Sequence, residues 1–263
     1  MTEESSPGRE GRRLKDFAHL FLGSGTPRNA PAEGRAGTPA AAPGDHPRVA
    51  FLDAGEGWLR TFLAAEIAAH LAQEKHRLLV AEEGRLFPTI SGHLGRWLDR
   101  TAPTPPIEVV RAESADPDGG GARDWTFVEI PPHLPGWSRP WLARAEFTLV
   151  AVAEKQIDRI RAFQLLKYLL GRELCRRTGV IMTEAPGSGR GRRDFHRFTA
   201  ALPQGSPETL FLGALPLEPL LDREILPQRK PAVIWFPEST TAAALVRAAA
   251  ALRRALPLEP QVC

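Results

Sequence analysis

The chain has 263 residues, 43% of them hydrophobic and 25% charged, which is enough apolar material for one large α/β domain or two small ones. Its 34 basic side chains against 31 acidic ones leave a formal charge of +3, too slight to argue for DNA, and no run nears the ~20 apolar residues that span a bilayer. Two distant cysteines, Cys175 and Cys263, exclude a disulfide framework, and the seven histidines are scattered without zinc spacing, so no metal site is expected. The first residues carry no signal-peptide core, and a cytoplasmic location is the expectation.

Residues 1–23 are predicted to hold a short helix in which Leu14, Phe17, Ala18 and Phe21 share a face and Gly23 is the stop. Leu14, Phe17 and Phe21 are the candidate partner-binding residues. Such a peptide either docks on its own domain, fills a partner's groove or touches a membrane surface peripherally. Residues 24–47, rich in Gly, Pro and Ala, read as a disordered linker because they lack the large apolar residues that would offset chain entropy. The folded domain is placed at 48–256, with 257–263 as a tail.

Within that domain, continuous apolar runs predict strands at Val49–Leu52, Leu78–Ala81, Ile107–Val110, Trp125–Ile130, Phe147–Val152, Gly179–Thr183, Leu210–Leu212 and Ala232–Phe236. Helical spacing marks Thr61–Gln73, Ile157–Leu170, Arg192–Leu202 and Thr240–Leu256. In the second helix Ile157, Ile160, Phe163, Leu166 and Leu170 form one stripe, read as core. Strands alternating with helices imply an α/β fold, a doubly wound and mostly parallel sheet, with its ligand crevice beyond the carboxyl ends of the strands.

The run from Arg48 to Thr61 reads as strand, glycine-containing turn and helix start, the setting of a phosphate-binding P-loop. That loop asks for G-x-x-x-x-G-K-S/T, so that bare backbone N–H groups and a lysine surround the phosphates. Ala54 and Leu59 stand at the two motif glycines, Arg60 at the lysine, and Thr61 fits. Leu59 and Trp58 put bulk into the turn, and an arginine fork does not replace an ammonium in a tight loop. Further along, Pro186–Arg193 reads as a flexible basic loop, with Arg190, Arg192 and Arg193 as candidate anion-binding residues.

Several of these segments in order resemble the MinD/ParA group of P-loop ATPases, which includes flagellar-number regulators. The resemblance runs from His46 to Leu256. Ala54-Gly55-Glu56-Gly57-Trp58-Leu59-Arg60-Thr61 is similar to the family's first motif, which places its signature lysine at Gly55, its phosphate lysine at Arg60 and its Mg²⁺-binding hydroxyl at Thr61. Leu78–Gly84 matches the strand ending in D-x-D, with Ala81 at the first aspartate and Glu83 at the water-activating one. Thr126–Pro132 matches the D-x-P-P strand, with Glu129 at its aspartate, and Arg177–Glu184 the adenine-reading strand, with Thr183 at its asparagine. Leu210–Pro216 and Gln228–Pro231 match the closing motif.

The resemblance implies the fold, and vestigial nucleotide contacts at Gly55, Gly57, Arg60, Thr61 and Thr183. Glu83 and Glu129 are vestigial catalytic positions, and Thr61 and Glu129 would face Mg²⁺ only together with ATP. With these positions changed, no cofactor and no hydrolysis are expected. The reading is a pseudo-ATPase that acts as a scaffold or regulator in positioning or assembling a bacterial surface apparatus (flagella, pili or exopolysaccharide secretion). Its partners would be proteins, including an active paralogue, as a homo- or heterodimer. The alternative is a divergent ATP-dependent switch that binds and slowly hydrolyses ATP. A tyrosine-kinase relative is disfavoured because the chain has one tyrosine, Tyr168.

Overall fold

The computed structural model describes residues 46–55, 57–84, 89–98, 106–118, 123–184, 188–202, 209–226 and 229–256. The backbone divides into a unit up to Pro39 and a second from Ala40, and all described residues lie in the second. Leu14, Phe17 and Phe21 lie outside the described residues.

Seven strands form one sheet: β1 (Arg48–Asp53), β2 (Leu78–Glu82), β3 (Ile107–Arg111), β4 (Trp125–Glu129), β5 (Phe147–Val152), β6 (Thr178–Glu184) and β7 (Thr209–Pro216). Their order is β3-β2-β4-β1-β5-β6-β7, and every pairing is parallel. The helices are α1 (Trp58–Gln73), α2 (Ile90–Leu98), α3 (Ser138–Arg144), α4 (Gln156–Gly171), α5 (Gly191–Thr199), α6 (Ala232–Trp235) and α7 (Thr240–Ala255), with a π-helical turn at Leu221–Ile225.

The period of two along each strand divides the core. Val49, Phe51, Phe147 and Leu149 pack with α1, α2 and α7 on one face, while Ala50, Leu52, Val150 and Val152 pack with α3, α4 and α5 on the other. Both faces are covered, which is why the runs are apolar throughout instead of alternating with polar residues. α1 lies deepest, buried almost continuously from Leu59 to Ala72, and its many alanines let it sit close to the sheet.

Three expectations are corrected. Ala232–Phe236 is not a strand: Ala232–Trp235 forms the short helix α6, opened by Pro231 and fixed by the buried Glu66 carboxylate of α1. That carboxylate accepts from the backbone N–H groups of Ala232 at 2.7 Å and Val233 at 3.1 Å. The predicted stripe on α4 is rotated. Ala162, Leu165, Leu166 and Leu169 are buried, while Ile157 is 52% exposed. The basic loop is shorter than predicted, because Gly191, Arg192 and Arg193 already belong to α5, which is anchored by Phe195 and Phe198.

Candidate functional site

β1 runs through a wholly apolar interior and ends on Asp53, at the carboxyl edge of the sheet where ligands of such folds bind. The chain turns through Gly57, whose φ of 86° is the left-handed conformation that glycine adopts freely, and enters α1 at Trp58. The helix thus starts three residues before the predicted Thr61. Leu59 does not crowd the turn: it points into the core.

The first turn of α1 presents N–H groups and the positive end of the helix dipole, an arrangement that favours an anion. The anion there is the chain's own. The Asp53 carboxylate accepts from the backbone N–H of Arg60 at 3.1 Å and is also bonded by that of Leu59. Arg60, 1% exposed, folds back instead of reaching outward. One of its guanidinium nitrogens lies 3.4 Å from Asp53 Oδ1, and another donates to Glu83.

Thr61 donates to Glu129, whose second oxygen accepts from the Glu83 backbone N–H at 3.1 Å. Asp53, Arg60, Thr61, Glu83 and Glu129 thereby form one buried network of three carboxylates around a single guanidinium. Burial is the main cause that pushes the Asp53 pKa up, with Arg60 opposing it. Burial likewise raises Glu129 from 4.5 to about 7, against the hydrogen bond from Thr61 and the charge of Arg60. Once protonated, Glu129 can donate to Thr61, whose hydroxyl then turns to the Gly57 carbonyl oxygen at 3.3 Å.

Beyond this network a cavity of about 210 Å³ opens at the strand ends, lined among others by Asp53, Gly55, Trp58, Lys155, Asp158 and Thr183. It is smaller than the ~300–1,000 Å³ of ordinary small-molecule pockets. Thr183 lies here, buried, and its hydroxyl has no partner among the described residues. Of the predicted nucleotide positions, Gly55 and Thr183 reach the cavity, whereas Arg60 and Thr61 face the carboxylates behind it. Arg190, Arg192 and Arg193 sit apart from it, at and just before the start of α5. Asp53 and Asp158, which line the cavity, belong to none of the sequence motifs. Asp53 carried a signal, an acidic residue closing an otherwise apolar strand just before a phosphate-loop turn.

The network has a relative further along α1. Glu66, fully buried, receives His93 at 2.9 Å besides the two α6 N–H groups. Glu82 accepts from the Ser91 N–H and hydroxyl, both at 2.9 Å, and so caps α2. Among the described residues no cluster of three or more His, Cys, Asp or Glu side chains is arranged to hold a metal ion.

No protein-family model and no curated protein matches the sequence. Solved structures match the fold. The MinC:MinD cell division protein complex of Aquifex aeolicus superposes with a TM-score of 0.62 over 79% of this chain and 96% of that one, at 16% identity. The fold is the MinD/ParA-type P-loop ATPase fold. A ParA family ATPase from Chlorobium tepidum TLS (TM-score 0.57, 14% identity, 80% of this chain and 99% of that one) agrees with it. So does a putative plasmid partition protein of Borrelia burgdorferi bound to AMPPNP (TM-score 0.59, 8% identity, 80% and 100%). Among the described residues no helix is long and apolar enough to cross a membrane. Identities this low carry the MinD/ParA fold across and leave the chemistry to be argued from this chain's own residues.

Proposed function

We propose that this MinD/ParA-fold protein does not turn over nucleotide and works by binding other proteins, as a scaffold or regulator in the positioning or assembly of a bacterial surface apparatus. One observation carries the reading: the Asp53 carboxylate occupies the N–H groups at the start of α1, with Arg60 held between Asp53 and Glu83. A phosphate arriving there meets a carboxylate instead of free donors. To bind, it must displace Asp53 and withdraw Arg60 from buried carboxylates, and breaking such a pair costs about 3–5 kcal/mol. That is roughly two to three and a half decades of affinity. The residues present do not fit Mg²⁺-nucleotide, and no catalytic step is assigned to them.

Support for protein binding comes from the surface beside the closed turn. Ile157 and Tyr168 of α4 are 52% and 44% exposed, large apolar groups of the kind that protein contacts use. The solved neighbour with MinC is itself a complex with a protein partner. Residues 1–23, on their linker, are the proposed recruiting peptide, and a cytoplasmic location with peripheral membrane contact through partners goes with this reading.

Titration calorimetry of the full chain with ATP and Mg²⁺ tests the proposal. The expected result is no saturable heat at millimolar nucleotide. Micromolar binding that Thr61→Ala abolishes would establish the switch reading instead.

A further inference from the structure

β7 stands last in the strand order and pairs with β6 alone among the described strands. Its outer edge therefore presents backbone N–H and C=O groups, the feature through which sheets recruit further strands, on either side of an irregularity at Leu212, which the pairing with β6 skips. α5 packs with β7 on one face of the sheet and α7 on the other. Between them lies a groove of about 470 Å³ whose floor includes Phe211 to Ala214.

Small residues keep this groove open and arginines charge it. Gly191 lets α5 come close, since a Cβ there would lie 2.3 Å from Ala214 Cβ. α7 turns Ala244, Ala250 and Ala251 toward the groove. Arg192 rises from the α5 wall and lies over the Phe211 ring at 5.1 Å, while Arg247 and Arg254 rise from α7. All three arginines are exposed, and among the described residues none pairs with a carboxylate. Glu184, which also lines the groove, is occupied by the Gly191 N–H at 2.7 Å and the Ser188 hydroxyl at 3.0 Å. Three guanidinium groups thus face one engaged carboxylate.

We propose that this groove takes an extended acidic segment of a partner protein, added to β7 as a further strand with its carboxylates against Arg192 on one wall and Arg247 and Arg254 on the other. Main-chain hydrogen bonds to the strand edge supply a sequence-independent part of such binding, and side chains supply selectivity. An added strand points successive side chains to opposite faces of the sheet, here toward α5 and toward α7, so acidic residues of both parities find arginine. Arg247 and Arg254 stand two turns apart, ~10.5 Å along α7, within reach of carboxylates two or four residues apart on that side. Nucleic acid is the poorer match. The floor is a strand edge, and its aromatic ring, Phe211, is already covered by Arg192, leaving no stacking platform. In the strand order β5 and β6 lie between β7 and β1, so the groove and the closed turn are distinct sites.

Fluorescence anisotropy of the full chain with a fluorescein-labelled octapeptide of glutamate and valine tests this. Saturable binding is expected, weakened roughly tenfold or more in the Arg247→Gln/Arg254→Gln double variant. It should also weaken for a peptide of equal charge with prolines in adjacent pairs, because one proline of each pair must face β7 in any register and lacks the N–H to donate. Both substituted residues are exposed, and far-UV circular dichroism checks that the variant is folded. Arg192→Gln supplies an independent variant on the other wall, with the same weakening expected. Four results overturn the proposal: no binding of the acidic peptide, equal binding of a lysine-for-glutamate peptide, unchanged affinity in the variants, or tighter binding of a 20-base-pair duplex than of the peptide.

Discussion

Arginine is used in two opposite ways in this molecule. Arg60 is buried at the start of α1, held by two carboxylates from β1 and the end of β2. Arg247 and Arg254 stand exposed on α7 beside an open strand edge, with no carboxylate partner among the described residues. The same cation is a structural part in one place and an unsatisfied recognition group in the other, and position in the fold decides which. In the MinD/ParA-type frame the buried turn is where an anion would be expected. Here the protein supplies its own, and exposed arginines line the far edge of the sheet.

The sharpest way to break that contrast is Arg60→Ala. It leaves Asp53 and Glu83 buried without their shared counter-charge, and one-sided removal of a buried pair costs about 3–5 kcal/mol. Urea unfolding should show a loss of that size, a large fraction of the roughly 5–15 kcal/mol that holds a domain folded. A change below about 1 kcal/mol would mean that Arg60 is not bound as described. In that case withdrawing Arg60 adds little to the cost of admitting phosphate, and Asp53 alone closes the turn.

The second effect is a pH dependence rooted in Glu129. Its folded pKa of about 7 lies above its ordinary 4.5, so between these values the folded protein keeps a proton that the unfolded chain has lost. Stability therefore falls as pH rises from about 4.5 to about 7 and is flat above, by about 3 kcal/mol at most. Asp53, also raised by burial, adds a fall that begins near 3.8. His70, lowered from 6.5 by burial, works in the opposite direction as it loses its proton. Asp118 and Glu218, both lowered, also raise stability with pH, but below their ordinary values of 3.8 and 4.5. Comparing wild type with Glu129→Gln isolates the term. Urea midpoints at pH 5 and pH 8 should differ markedly in the wild type and much less in the variant.

These effects show what the sequence could and could not convey. The seven strands were legible because a sheet covered on both faces leaves apolar runs with few other readings. The α4 stripe was not, because Leu165 and Leu169 make a second apolar row beside Ile157, Ile160 and Phe163, and spacing alone does not rank two rows. α2 was hidden by Gly92 and Gly95, and by a capping carboxylate, Glu82, that lies in the preceding strand. The eighth strand failed for a related reason. Ala232–Trp235 is apolar enough for a strand, and its helical form depends on Glu66, which lies 166 residues away in sequence. At the candidate site the departures at positions 54, 59 and 60 were visible. What no motif conveys is direction, since Arg60 could face a ligand or fold back, and Asp53 decides it.

The smallest expected effect completes the comparison from the other side. Arg247→Gln and Arg254→Gln remove charges from an exposed helix face without breaking any pair among the described residues, and glutamine keeps good helix propensity. Each should change the unfolding free energy by no more than about 0.5 kcal/mol, measured by urea titration at fixed pH and salt. Arg254 lies in the last turn of α7, where a cation interacts favourably with the helix dipole, so any loss should be the larger there and should shrink as salt is added. A loss of several kcal/mol at either position would make these arginines structural, like Arg60, and would remove the ground for treating their charge as free for a partner. Near-neutrality, set against the Arg60 result, would separate the two roles of one residue type by a factor of at least six in energy, the ratio of about 3 to 0.5 kcal/mol.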